Sequence, residues 1–398
     1  MTPRERYRET INFRQPDEIP WIDHFETEGI VRWIKEGLPI DRIIAIGSEV
    51  SCGGALLGSG LSMSGFDLSS YFGSIPMVGH FLPIDIGPIP RFKEGTVRED
   101  EKYVDTITEI GSITRRRRGS LTYSMPMFVD HPVKDRESWE EYKRRLNPLD
   151  PRRYPKDWHK DSYLRYCEEY QKGPIQVAVT GLYGFGMQLM GIERFNVAFY
   201  RDPELVEDMA NYWEFFTVEA LRDAVTTLRD GIDQVFWWED MASRHGPNIS
   251  PRLYKRYLLN HYKRVTGFLR KNKIDRIMMD SDGNMNPLLD LISESGITGL
   301  WPLEVNAGMD AIAIRKNYGD KFYLGGNLDK ARIARGGEEM RDEIDSKISI
   351  LREMGGYCAG VDHVVPSDVS LEKFMEYADY LRKKRGFEGK SFPSGSHF

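Results

Sequence analysis

Short apolar runs alternate with longer amphipathic stretches through the second half of the chain. Ile175–Thr180, Ile232–Trp238, Ile274–Asp280, Ile297–Trp301, Phe322–Gly325 and Tyr357–Asp362 have the length and β-branched or aromatic content of buried strands. The gaps carry helical periodicity, at Pro203–Leu228, Ser250–Lys271 and Gly337–Met354, and Ser250-Pro251 supplies an N-cap with proline in the first turn. Strand, helix, strand at this spacing predicts a parallel sheet with right-handed crossovers. Ile19–Phe25 and one segment from 75–86 bring the count to about eight, the number that closes a TIM-type (β/α)8 barrel. A doubly wound open sheet is the second choice.

The first half is more varied. Thr2-Pro3 opens a helix that is expected to end near Phe13, before Gln15-Pro16. Residues 47–90 are rich in Gly, Ser and Pro, which favours loops and short strands; no GKS/T or GxGxxG accompanies them, so no nucleotide site is expected. Thr106, Thr108 and Ile110 lead to the turn Gly111-Ser112, and Ile113 and Thr114 start a return strand, which predicts a β-hairpin. The run Arg115–Arg118 reads as a solvated hairpin edge in cross-strand ion pairs with nearby acids. Asp135 caps a helix carrying Trp139, Tyr142 and Leu146, stopped at Asn147-Pro148. The expectation is one barrel domain over 1–398, with a lid or insertion over about 47–170.

Composition narrows the function classes. Hydrophobic residues at 40% and aromatics at 12% support a large core. A formal charge of −6 gives no nucleic-acid footprint. No run approaches the ~18 apolar residues of a membrane span, and the start does not read as a signal peptide. Cys52, Cys167 and Cys358 are too scattered for a disulfide framework. A reduced, cytoplasmic protein is expected.

The strand ends carry the chemistry. The run Ile274–Asn284 ends in Asp280-Ser281-Asp282-Gly283-Asn284, and residues two apart on a strand share a face, so Asp280 and Asp282 project together. Buried carboxylates are costly unless they are paired, hydrogen-bonded or facing a cation. The plain alternative is a solvated acidic turn. Other strands also end in polar groups: Asp23, His24 and Glu26; Thr180 before Tyr183 and Phe185; Trp237, Trp238, Glu239 and Asp240; Trp301 and Glu304; Asn327; Asp362 and His363. On a barrel these would line one mouth. His24 reads equally as a ligand or as a salt-bridged capping residue, and each aromatic reads as core or as pocket wall.

The segments DEIPWIDHF, ISPRLYKRYLLNHYKRV, MDSDGNMNPLLDLISESGITGLWPLE, NAGMD and GGYCAGVDHVVPSDVSLEKF resemble the uroporphyrinogen decarboxylase superfamily over about residues 16–382. That superfamily comprises single-domain TIM-type barrels, including the heme-pathway decarboxylase and methyltransferases that work with corrinoid proteins. The decarboxylase carries an arginine-rich MRQAGRY-like segment where this chain has IDHFETEG, and Arg32 is the nearest basic side chain. A polyanionic porphyrinogen would be repelled by Asp23, Glu26, Asp280 and Asp282. The zinc-dependent methylcobamide:coenzyme M methyltransferases carry HxC and a distant Cys where this chain has Asp280, Asp282 and Asp362. Oxygen ligands Asp280, Asp282 and Asp362 with His363 suit a harder metal or a weaker zinc site, so zinc is expected to be substoichiometric.

The resemblance therefore implies a methyltransferase of the O- or N-demethylase type. It would move a methyl group between a small substrate and a corrinoid (cob(I)alamin or methylcobalamin) on a partner protein. His363, Asp280, Asp282 and Glu239 are the expected catalytic residues, with a proton donor such as His363 preferred to a metal. His24, Glu26, Tyr183, Trp238, Asp240, Asn284, Glu304 and Asn327 are expected to bind substrate. A carboxy-lyase acting on a non-porphyrin substrate and a non-catalytic binding barrel are the alternatives. No nucleic acid or membrane partner is expected, and a homodimer is left open.

Overall fold

In the computed structural model, residues 1–39, 68–76, 80–119 and 126–386 are described. Cys52 and the part of the expected lid over 47–67 lie outside them. The first helix, Pro3–Ile11, starts at a capping box in which Thr2 accepts from the Glu5 amide and the Glu5 carboxylate accepts from the Thr2 amide. The strands follow as β1 (His80–Phe81), β2 (Gly95–Glu99), β3 (Tyr103–Ile107), β4 (Ile113–Arg117) and β5 (Met127–Asp130). After these come β6 (Ile175–Thr180), β7 (Gln234–Trp238), β8 (Ala242–Ser243), β9 (Gly246–Pro247), β10 (Ile277–Asp280), β11 (Gly299–Trp301), β12 (Tyr323–Gly325) and β13 (Tyr357–Cys358).

One parallel sheet of seven strands runs in the order β1-β6-β7-β10-β11-β12-β13. It curls until its two edges approach the segment Ile19–Phe25. Trp21 bridges Ala359 and Phe25 bridges Val365, both parallel, while the Ile75 amide donates to the Trp21 carbonyl at 2.7 Å. The architecture is an α/β fold of TIM-like form. Several apolar runs start earlier than the strands they feed. Ile232 and Ile274 are buried, yet their amides donate to turn carbonyls of Arg229 and Leu269, so they pack beneath the helices without joining a ladder.

Side-chain alternation sorts the sheet into two cores. Val177, Val235, Ile277 and Met279 face the surrounding helices, including Pro203–Leu228, Leu259–Lys271 and Gly337–Met354. Phe236, Met278, Trp301, Tyr323 and Cys358 face inward, and Tyr7 and Ile11 of the first helix join them. Tyr7 and Tyr323 both donate to Gln234 Oε1, at 2.6 and 2.9 Å, and Arg4 grips Asp233 through two hydrogen bonds of 2.7 and 3.0 Å. The first helix thus plugs the end of the sheet where the strands begin. The end where they finish is left for a site, as in TIM-type folds.

Strands β2–β5 form a separate antiparallel sheet, in which β3 and β4 pair from Tyr103↔Arg117 to Ile107↔Ile113. Arg115 binds Asp105 at 2.7 Å and Arg118 binds Glu99 at 2.8 Å across strands. The helix capped by Asp135 spans Arg136–Lys143 and buries Trp139 and Tyr142. Among the described residues, no helix is long and apolar enough to cross a membrane.

Candidate functional site

On β10, Met278 points inward, and Asp280 shares its face at the end of the strand. Asp280 lies in register with Trp238 of β7 on one side and Trp301 of β11 on the other. The chain then turns. Ser281 is buried, donates its amide to the Trp301 carbonyl at 3.0 Å and accepts the Met241 amide on its hydroxyl at 3.0 Å. This anchoring sends Asp282 back toward the mouth, with its amide 3.5 Å from Asp240 Oδ1.

Gly283 makes the turn feasible. Its φ is +80°, and a Cβ there would lie 2.6 Å from the Ser243 carbonyl carbon and oxygen. Its amide donates to Glu304 Oε2 at 2.9 Å. Gly283→Ala is expected to cost about 1–2 kcal/mol in backbone conformation alone, before the clash with Ser243 is counted. A thermal melt checks this; an unchanged midpoint would mean that the loop relaxes freely.

Asp282, Glu304 and His363 gather at the rim, with one ligand atom from each lying within 4.8 Å of the others. His363 Nε2 is 3.5 Å from Asp282 Oδ1, and these side chains are 33% and 38% exposed, so the rim is open to solvent. Lys330 Nζ stands 3.3 Å from Glu304 Oε1. The Trp301 ring centroid lies 5.9 Å from that of His363 and 6.3 Å from that of His24. Met278, Trp301, Tyr323 and Cys358 also wall a small cavity inside the sheet.

Charge is crowded here. Burial, and next the Asp282 carboxylate, push Asp240 up to about 7. Burial first, with Asp240 and Asp282 adding to it, holds Asp280 well above the ordinary carboxyl range. Asp282 is raised as well, chiefly by burial, although His363 and Lys330 oppose the shift. His24 is pushed down to about 4 by burial, with His363 adding to the effect, and its Nε2 has no hydrogen-bond partner among the described residues.

Several expected site residues stand elsewhere. Glu239 is fully buried and accepts from the Tyr262 hydroxyl, the Trp237 indole at 2.8 Å and the Gly184 amide at 2.9 Å, so it ties the sheet to its helices. Tyr183 donates to Asn196 at 3.2 Å and packs on Phe195, in the helix layer. Phe185 and Trp237 also face that layer, against Trp139 and Trp213. Asn327 is buried and fully used, accepting the Ala311 amide and donating to the Leu303 and Met309 carbonyls. Glu26 accepts the Ser367 amide at 2.8 Å.

Asp362 accepts the Lys330 and Val305 amides and takes no part in the rim trio, whereas its neighbour His363 does. Asp280 is likewise outside that trio, and Glu304 takes its place. Asn284 is on the rim, but its side chain accepts the Asn286 amide at 3.1 Å. Lys330 was missed. It follows Asn327-Leu328-Asp329 directly, and reading the polar run one residue further would have found it.

The donor set of the trio suits a hard, oxygen-preferring divalent cation and offers no thiolate for a sulfur-bound zinc. Asp282 Oδ1 is buried and has no hydrogen-bond donor among the described residues, and the ligand set is two carboxylates and one imidazole.

Comparison with known proteins bears on the fold and the family. No curated protein matches the chain. A methyltransferase from Methanosarcina mazei is similar in structure, with a TM-score of 0.57 and 13% sequence identity over 97% of this chain and 98% of that one, a likeness that speaks to the fold. The family model described as uroporphyrinogen decarboxylase (URO-D) matches residues 123–384. That match spans more than half of the sequence, and the chain belongs to the uroporphyrinogen decarboxylase family.

Proposed function

We propose that this protein is a methyltransferase of the demethylase type, moving a methyl group between a small substrate and a corrinoid held by a partner protein. The observation that carries the reading is the mouth itself, where Asp240, Asp280 and Asp282 crowd together and burial raises all three carboxyls, Asp240 to about 7. Methyl transfer changes the charge on the substrate heteroatom by one. An ether oxygen leaves as an anion that needs a proton, and an onium centre leaves neutral. Carboxyl groups raised in this way can hold a proton for the first and, when ionised, face the charge of the second.

The corrinoid would supply the cobalt that takes or gives the methyl group. This chain supplies an open rim at Asp282 and His363, through which a partner-held group has access. Were a metal bound, Asp282, Glu304 and His363 would hold it, and it would act as a Lewis acid on the leaving heteroatom. A polycarboxylate tetrapyrrole suits this mouth poorly. Arg32 spends its guanidinium on Glu36 and the Ser367 and Asp368 carbonyls, away from the acids.

The direct test mixes the protein with cob(I)alamin and methylated ethers, amines or sulfonium compounds and follows the visible spectrum. Carbon dioxide release from a carboxylic acid substrate, without methyl transfer, would replace this reading by a carboxy-lyase. His363→Gln keeps the hydrogen-bonding shape and removes the titratable proton. With an ether substrate, whose leaving oxygen needs a proton, it is expected to lower turnover by about tenfold to a hundredfold and to flatten the pH profile. Full turnover with an unchanged profile would remove His363 from the chemistry.

A further inference from the structure

The acids of the mouth outnumber the cations that face them. Glu304 is paired with Lys330 at 3.3 Å, and Asp282 with His363 at 3.5 Å. Asp240 and Asp280 form no ion pair among the described residues, and Glu239 adds to the repulsion on Asp240. Asp280 is the extreme case. It is 9% exposed, points inward from the end of β10, and receives no hydrogen bond from any described residue. A buried carboxylate without a donor is costly, and a positively charged ligand would repay that cost.

Its neighbours indicate the kind of cation. Trp238 and Trp301 lie in register with Asp280 on the two flanking strands, so the carboxylate is the middle member of a Trp–Asp–Trp row. In-register side chains of a parallel sheet project to the same side, about 4.8 Å apart. Met278, one step down the same face, walls the inner cavity together with Trp301. Small divalent metals take shells of oxygen and water and gain nothing from indoles. Methylated onium ions are held by aromatic faces beside a carboxylate.

We propose that the mouth binds a methylated onium cation, an ammonium or sulfonium, with its charge facing Asp280 and its methyl groups against Trp238 and Trp301. The site lies inward of the rim trio Asp282, Glu304 and His363. This deepens the methyl-transfer reading and rests on it for the fate of the ligand. The carbon–nitrogen or carbon–sulfur bond breaks with its electron pair staying on the heteroatom, and the methyl group passes to the cobalt(I) of the corrinoid. A neutral amine or sulfide leaves, and no proton is required. Loss of the positive charge also ends the attraction to Asp280, so the product is held less tightly than the substrate.

Calorimetric titration of the full chain, in buffer with a chelator, tests the binding directly. The probes are choline, tetramethylammonium and trimethylsulfonium, with 3,3-dimethylbutan-1-ol as the uncharged carbon isostere of choline. At least one onium is expected to bind about tenfold or more tightly than the isostere. Asp280→Asn is expected to remove that preference while leaving the weak binding of the isostere in place, and Trp238→Leu to weaken both. Absence of binding by all three onium ions, equal affinity for choline and its isostere, or onium binding indifferent to both substitutions would overturn the proposal. Onium binding without methyl transfer to cob(I)alamin would leave the site standing and defeat the methyl-transfer reading. Methyl transfer from a neutral ether, with no onium binding, would do the reverse.

Discussion

Asp282→Asn is expected to lower methyl transfer from an ether, whose leaving oxygen needs a proton, by about 10²- to 10⁴-fold, the range over which a positioned acid–base group usually acts. Asp282 is the side chain that joins the two halves of the site. It stands 3.5 Å from His363, belongs to the rim trio, and is felt by both Asp240 and Asp280. The same substitution is expected to leave the thermal midpoint within a few degrees, because the side chain is 38% exposed. Loss of a half-exposed ion pair costs on the order of 1 kcal/mol or less. Relief of repulsion from Asp240 and Glu304 acts in the opposite direction, so the two terms nearly cancel. Turnover and a melt on the same preparation check both halves. A collapse of stability with normal specific activity would make Asp282 part of a structural network.

The fold was legible because its signals are local and repeated. Ile175–Thr180, Pro203–Leu228 and Gly337–Met354 fall on elements with the same bounds in the structure, and Thr2 caps its helix as its position suggests. Strand starts were less legible at Ile232 and Ile274, since burial in a turn and burial in a ladder ask for the same apolar residue. The site was legible in its acids, through the spacing of Asp280 and Asp282 and the polar ends of neighbouring strands. Direction was the missing quantity. Glu239 and Asp240 are adjacent in sequence, yet one faces Tyr262 in the helix layer and the other faces Asp282. Asp362 and His363 divide in the same way. Nothing in composition tells a buried Asn327 serving three backbone groups from one that greets a substrate.

Stability is expected to fall as pH rises from about 5 to 8, and Glu239 gives the clearest measure of the effect. Burial pushes its carboxyl from 4.5 up to about 7, against the pull of its hydrogen-bond donors, Tyr262 and Trp237 first. The folded pKa is then higher than the unfolded one, so the folded chain keeps a proton that the unfolded chain releases. That contribution is fully present below about pH 4.5 and is lost as pH rises through 7. At about 1.4 kcal/mol per unit, it amounts to about 3 kcal/mol, a sizeable share of the ~5–15 kcal/mol typical of folded domains. Asp23, raised to about 7 by burial while Val361 and Trp21 donate to it, works in the same direction. His24 works against both between about pH 4 and 6.5, because its lowered pKa makes the folded chain the poorer proton binder there. The whole-protein profile therefore mixes opposing slopes, and a difference isolates one site. Melts of the native protein and of Glu239→Gln at pH 5 and pH 8 are expected to show the variant gaining about 2.5 kcal/mol relative to the native chain over that interval, since an amide has no proton to lose. A difference that does not change with pH would mean that Tyr262, Trp237 and Gly184 keep Glu239 ionised throughout, and that burial has lost to its hydrogen bonds.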